Sequence, residues 1–303
     1  MWVDNTLQKS QKWASVLQSQ VRMDSFIWMM IANTKFEWDF DGNGTVNFRR
    51  QAKITLSDMA SWSSEIPITK LVETNETFTL DTFKGFATEI SDEEFKEMDI
   101  DPNSQVMQDA REAFSRAYDT AIFGTYADAS MDVDDWDMAT TTNGWSGHPI
   151  IISKSNVYEA IARVWLAMDI ADDSLWNATW LPMNDRWLVL SPNERFFLNT
   201  SSDLIRDTSY GDNIITGWYA GELNGIKIYF TNLLAEASNV RYCPFWQGKP
   251  VSFGANIKPK MQFVWQETQA NTFLNYLKGM TKYGVEVFSE GAERYGVLES
   301  HYA

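Results

Sequence analysis

The sequence predicts an α+β protein in which a long two-stranded ribbon and a helical rod interrupt a mixed α/β body. Three observations predict it. Residues 45–92 carry apolar side chains in i, i+2 pairs, the period of a strand. Residues after Asp101-Pro102 carry them at three- and four-residue spacing, the period of a helix. From about residue 150 the two patterns alternate. The chain is 44% hydrophobic and 14% aromatic, which places it among folded proteins. Its 303 residues suit one complex domain or two intertwined ones.

Residues 1–44 read as an arm: a polar, helix-compatible start, then the apolar run Phe26–Ala32. That run is far shorter than the ~20 residues that span a bilayer. No basic segment with an apolar run and cleavage site precedes it, so a soluble intracellular product is expected. The arm ends in DFDGNGTVNFRR, Asp39 to Arg50, which begins like a calcium-binding EF-hand loop. Asp39, Asp41, Asn43 and Gly44 match its first half. Arg50 stands where the bidentate glutamate belongs, and the exit alternates like a strand instead of a helix. The stretch therefore reads as a turn that releases a strand.

The ribbon, 45–92, follows. Its apolar residues are Val46, Phe48, Ile54, Leu56, Trp62, Ile66, Ile68, Phe78 and Leu80. They are few for its length, and a lone two-stranded ribbon is marginal in water. It therefore needs a surface to lie on, its own body or a neighbouring subunit. An acidic connection, Glu89 to Asp101, leads to a helix with Asp101 as N-cap and Pro102 at its first position. Val106, Ala110, Phe114, Tyr118 and Ile122 mark its apolar stripe. About 20 residues make a rod of about 30 Å. In Asp128–Asp137, the carboxylates of Asp132, Asp134, Asp135 and Asp137 are candidate ligands for a hard cation. A solvated acidic loop explains them more simply.

In the body, Val157, Ala160, Ile161, Val164, Trp165 and Met168 predict a helix, and Arg186–Leu190 a buried strand. Ser191-Pro192-Asn193-Glu194 is a capping box with proline at the first helical position, and Phe196, Phe197, Leu204 and Ile205 continue that helix. Asn224-Gly225 predicts a hairpin turn, and Ile226, Ile228 and Phe230 a strand. Phe253–Ile257 and Met261–Trp265 read as strand, Phe273, Tyr276, Leu277 and Met280 as a helix, and Gly284–Phe288 as a closing strand.

Charge and missing motifs narrow the function. A net charge of -16 argues against a reader of nucleic acid, whose affinity comes from cations on phosphates. The single cysteine, Cys243, allows no internal disulfide and no CxxC zinc pair, and fits a reducing compartment. His148 lies in a turn, and His301, close to the end of the sequence, is expected to be mobile. No phosphate-cradling glycine loop, HExxH or GxSxG occurs. With 41 acidic residues, carboxylate pairs carry no specificity. No cofactor, resident metal or catalytic residue is assigned, and no enzyme activity is expected.

Six segments, in order, resemble the major capsid proteins of tailed phages with the HK97 fold. Gly44-Thr45-Val46 is similar to the start of that family's extended E-loop. Thr79-Leu80-Asp81-Thr82-Phe83-Lys84-Gly85-Phe86-Ala87, ending in Ile90-Ser91-Asp92, resembles its return strand. Ala117-Tyr118-Asp119-Thr120-Ala121-Ile122 resembles the end of the spine helix. Arg186–Pro192 resembles a strand-to-helix step in the A-domain, Gly221–Leu234 the glycine turn and strand after it, and Tyr283–Val287 the closing strand.

The resemblance implies an arm (1–44), an E-loop (45–92), a P-domain with the spine helix (93–149), an A-domain (150–250) and return strands shared between the last two (251–303). It implies a subunit that self-assembles through hexamers and pentamers into an icosahedral shell around double-stranded DNA, made in the host cytoplasm and residing in the virion. Partners would be further copies of itself, a scaffolding protein, a portal and a decoration protein, with no membrane. The nine apolar ribbon residues would make the intersubunit contact. Some relatives cross-link an E-loop lysine to a neighbour's asparagine; Lys53, Lys70 and Lys84 lie in or near the ribbon and read as ordinary solvated lysines. Alternatives are an encapsulin-like nanocompartment shell, a carboxylate-based hydrolase, and a calcium-binding protein built on Asp39–Arg50.

Overall fold

A computed structural model describes residues 27–35, 44–50, 74–91, 102–139, 148–170, 181–201, 219–223, 225–269 and 272–301. Asp39–Asn43, Ile54, Leu56, Trp62, Ile66, Ile68, Leu204 and Ile205 lie outside them.

The described chain opens with a single helical turn, α1 (Trp28–Ile31), and a short strand, β1 (Ala32–Asn33). Strands β2 (Thr45–Arg50) and β3 (Thr74–Thr79) form an antiparallel pair, with Val46 opposite Phe78. Gly44, with φ of 73°, directly precedes β2. The chain then changes sheets, so the ribbon is not one continuous hairpin. Strand β4 (Thr82–Ser91) leaves β3 after Leu80-Asp81 and joins another partner.

Helix α2 (Pro102–Phe123) is the expected rod. Strands β5 (Met131–Val133) and β6 (Ile150–Ile151) lead to α3 (Val157–Ile170), whose Val157, Ala160, Ile161, Val164 and Met168 are all buried. After β7 (Arg186–Leu190), Ser191 starts α4 (Pro192–Thr200) with the capping box read from the sequence. The Asn193 amide donates to Ser191 Oγ at 3.2 Å, and the Ser191 amide donates to Glu194 Oε2 at 2.9 Å. Glu194 is buried, and Ser300 Oγ donates to its other oxygen at 2.9 Å. Strands β8 (Tyr219–Leu223), β9 (Ile226–Phe230), β10 (Glu236–Ala237) and β11 (Val240–Gln247) follow. Last come the long strands β12 (Val251–Gln269) and β13 (Thr272–Val287), the turn α5 (Ser289–Ala292) and β14 (Tyr295–His301).

Among the described residues these strands make two main sheets. The body sheet has the order β5-β14-β11-β7-β9-β8, with β6 also on β14 and β10 on β11. It mixes parallel pairs (β7 with β9, β14 with β5) and antiparallel ones (β11 with β7 and β14). Leu188, Val189, Leu190, Ile226, Ile228, Phe245 and Trp246 bury its apolar positions. The second sheet has the order β1-β12-β13-β4.

Two further expectations are overturned. Phe273, Tyr276, Leu277 and Met280 belong to strand β13, not to a helix. Their spacing fits a helical face, but β13 is paired on both sides, with β12 and with β4. Those ladders outweigh the local pattern. Gly279 and Gly284 mark why: a Cβ at Gly279 would lie 2.3 Å from the Phe86 ring, and one at Gly284 would lie 2.2 Å from the Thr79 carbonyl oxygen. His301, expected to be mobile, sits in β14 opposite Val240 of β11.

The close approach at Gly284 gives a test. Gly284→Ala forces β13 away from the end of β3 and is expected to destabilise the chain by about 1–3 kcal/mol, the usual range for overpacking. A lowered denaturation midpoint checks it.

Candidate assembly surface

The rod is fixed to the second sheet by aromatic rings. Tyr118 of α2 packs edge-on against Trp28 (5.4 Å), Phe253 (5.0 Å) and Tyr283 (4.9 Å). Trp28 meets Phe253 at 5.1 Å, and Phe114 meets Phe86 at 5.9 Å. The polar atoms at this junction are paired. Tyr118 Oη and Thr281 Oγ1 share a buried hydrogen bond of 2.7 Å, and the Trp28 amide donates to Asp119 Oδ1 at 2.7 Å. Ala117–Ile122 thus holds the ring, the acceptor and the apolar side chain that fasten the rod.

Among the described residues, the opposite face of the same sheet is exposed in part. Phe83 is 65% exposed, and Met280 is also exposed. Strand register puts Lys282 opposite Phe83 and Met280 opposite Gly85, on one face. Lys282 Nζ lies 4.9 Å from the Phe83 ring centre, and Lys278 is exposed on the same side. The face is therefore apolar and basic on a chain that is acidic overall.

The structure corrects part of the intersubunit assignment. Val46, Phe78 and Leu80 are buried within their own chain. Phe288 wedges under the base of the β2–β3 pair, with ring centres 5.1 Å from Phe48 and 6.1 Å from Phe78. The Leu80 amide donates to the Gly44 carbonyl at 2.9 Å, and Ser289 Oγ donates to Glu76. The base of the ribbon thus finds its apolar cover at home. Phe288 lies some 200 residues downstream, so no local pattern announces it.

The acidic segment is also not a loop. Asp132 lies on β5, beside Val297 of β14. Asp134 caps a 3-10 turn over Asp135–Asp137: it accepts from the Trp136 amide at 2.8 Å, and Asp137 accepts from the Asp134 amide at 3.1 Å. Asp135 is buried, and its amide donates to the His148 carbonyl at 2.9 Å. The Asp-x-x-Asp spacing is a capping signal in the sequence that the cation reading passed over. Among the described residues no group of three or more His, Cys, Asp or Glu is arranged to hold a metal ion.

Similar chains are known. A family profile described as phage capsid protein matches residues 74–289, more than half of the chain. Among solved structures, a chain of Mycobacterium phage Che8 superposes with a TM-score of 0.70 at 15% identity, covering 98% of each chain. The capsid structure of cyanophage P-SCSP1u gives 0.66 at 15% identity over 97% of this chain and 92% of that one. The capsid of Ralstonia phage GP4 gives 0.61 at 16% identity over 100% and 98%. No curated protein sequence matches. At such low identity the superpositions define a fold class, the HK97-like capsid fold. The family match goes further: the chain belongs to the phage capsid protein family, whose members are structural proteins that associate with copies of themselves into the shell of the virion. These matches do not favour the nanocompartment or hydrolase alternatives. Among the described residues no helix is long and apolar enough to cross a membrane.

Carboxylates at the β5 edge of the body sheet give a pH test. Partial burial, then the charges of Asp134 and Asp137, push the Asp132 carboxyl up to about 6. Burial, then Asp132 and Asp134, push Glu299 up to about 7. Folded-state values raised above the unfolded ones mean the native state binds more protons between them. These two groups therefore lower stability above pH 7, and the penalty is relieved as pH falls from about 7 toward 4. Asp132→Asn/Glu299→Gln is expected to flatten this part of the melting-temperature profile between pH 8 and 5.

Proposed function

We propose that this chain is the major subunit of a closed icosahedral head, built from hexamers and pentamers and enclosing double-stranded DNA without reading its sequence. The family and the fold support the reading, and the anchored ribbon base carries its mechanism. A ribbon whose root is clamped by Phe288 is held at a fixed angle to its own body. Residues 51–73 are inferred from their sequence to continue the ribbon; a hairpin of that length would reach about 40 Å. Ile54, Leu56, Trp62, Ile66 and Ile68 lie in that part and are the contacts proposed for the neighbour. The open face with Phe83, Met280, Lys278 and Lys282 is the surface such a ribbon would cover. Obligate contacts of this kind bury about 2,000–5,000 Å².

The work of the subunit is geometric, with no turnover chemistry and no cofactor. Its acidic charge keeps a packaged polyanion from adhering to the wall, over a range of about 8 Å at physiological salt. Assembly takes place in the host cytoplasm, with a scaffolding protein, a portal and a decoration protein as further partners. The domain division is the one implied by the resemblance, except that β4 belongs with the rod and its sheet.

Replacing residues 51–73 by a short turn tests the mechanism. Because the base is buried at home, the shortened chain is expected to stay folded with a melting temperature within a few degrees of the parent. It is expected to form no closed particles by electron microscopy. Normal particles from the shortened chain would refute the role given to the ribbon.

A further inference from the structure

The root of the ribbon rests on one strand at successive points. The β2–β3 ladder runs inward from Arg50 and Thr74 to Thr45 and Thr79, and the Leu80 amide closes it on the Gly44 carbonyl at 2.9 Å. The chain around β13 meets this root in the same order. Phe288, just past the end of β13, packs on Phe48 and Phe78. Gly284 receives the Thr79 carbonyl in the space that a Cβ would need. Lys282 reaches Gly44: its Nζ lies 3.0 Å from where a Cβ of that glycine would stand. Residues 282 and 284 are two apart on a strand, so they face the same side of the sheet.

These contacts form a pivot with a stop on each side. Gly284 lets two backbones touch but offers no side chain to grip, so alone it allows the ribbon to rock. Phe288 blocks rocking on the outer side. Lys282 blocks it on the inner side, about 7 Å from Gly284 along the strand. Gly44 has no side chain of its own with which to hold β13. The ammonium is itself placed. Its Nζ lies 4.9 Å from the centre of the Phe83 ring, and Phe83 is the register partner of Lys282 on β4. Such a contact orients a cation that would otherwise sweep through solvent. Lys282 thus joins the start of β2 to the start of β4, where the chain passes from ribbon to sheet.

We propose that Lys282 is the positioning residue that fixes the angle at which the ribbon leaves its own body, and through that angle the uniform size of the shell. A lysine serving only solubility needs neither the Phe83 ring nor the glycine. The inference rests on the ribbon's proposed role as the contact to a neighbour. A long ribbon turns a small rotation at its root into a large displacement at its tip. Over a reach of about 40 Å, a rotation of about 10° moves the tip by about 7 Å, more than one strand spacing. The neighbour would then be met out of register.

Nitroxide labels at Asn75→Cys in β3 and Asn199→Cys in α4 read the angle directly in unassembled full-length chains. Both sites are exposed, and native Cys243 is buried. Pulsed electron resonance is expected to give one narrow distance distribution for the labelled parent. Lys282→Met is expected to at least double its width, with circular dichroism unchanged and the melting temperature within a few degrees of the parent. Without labels, Lys282→Met is expected to turn a single particle size into a mixture of sizes and open sheets by electron microscopy. Lys282→Arg keeps a cation on the ring and is expected to match the parent in both measurements. Lys278 lies on the same exposed face, four residues or about 13 Å further along β13. Lys278→Met is expected to leave the distance distribution unchanged, which separates loss of positive charge from loss of the root contact. A Lys282→Met distribution as narrow as the parent's, or no broader than that of Lys278→Met, overturns the role of Lys282 and leaves the shell reading standing. A broadened distribution with particles of unchanged size overturns it as well. Failure of the parent chain to form any particle overturns the shell reading, while the distance measurement still decides whether Lys282 holds the root.

Discussion

The contact on which the rest depends is the aromatic junction of Trp28, Tyr118, Phe253 and Tyr283. Four segments far apart in sequence meet there: α1, the rod α2, and the long strands β12 and β13. Each ring pair adds about 0.5–1.5 kcal/mol beyond its area burial. The Tyr118–Thr281 and Trp28–Asp119 hydrogen bonds leave no cost of buried, unmet polar atoms at these sites. A rod has little core of its own, and so has a narrow sheet. Stacked through these rings, each supplies the other's missing layer, and Phe253 continues the packing into the body core.

A shell subunit must be folded before it meets a neighbour, yet must keep surface in reserve for that meeting. The two needs are separated along the ribbon. At its base, Phe48, Phe78 and Phe288 interlock and Gly284 brings two backbones together, so the root is settled by intramolecular contacts. The sheet face with Phe83 and Met280 remains open, on the side away from the rod. The lysines there are useful on an acidic chain. Like charges on two approaching copies repel over the Debye length, and a basic patch gives one orientation an advantage over the others.

Much of this was legible in the sequence where the information is local. Pro102 and the three- and four-residue spacing after it define α2, and Ser191-Pro192-Asn193-Glu194 defines the start of α4. The alternation of Ile226, Ile228 and Phe230 gives β9 its inward face. What escaped depends on distant partners. Phe273, Tyr276, Leu277 and Met280 form a plausible helical stripe until β4 and β12 flank them. The glycines at 279 and 284 were the visible warning, since each meets an atom from another strand. Asp132–Asp137 drew attention to charge, when the spacing of Asp134 and Asp137 already spelled a cap. In the sequence Arg186 shows only as the first residue of a strand. That its side chain lies buried with one donor unmet depends on Asp169, Leu181 and Pro182 together, which no motif predicts.

The interleaving of the two sheets decides how the subunit behaves as a whole. The chain builds β5, β7, β9 and β11 of the body, leaves for the long β12–β13 excursion, and only then returns to place β14 between β5 and β11. Ser300 on that strand donates to Glu194, whose other oxygen accepts the Ser191 amide at the cap of α4. The body therefore cannot close its sheet until the second sheet has turned back. The second sheet in turn takes its first strand, β1, from ahead of the body and begins β12 in the body core at Val251 and Phe253. Neither part has a complete set of strands without the other, and pairings between residues so far apart are slow to form. Body, rod and ribbon root are thus expected to melt as one cooperative unit. Strain applied at the ribbon root is carried to the body by β12 and β13 rather than absorbed in a hinge between independent domains.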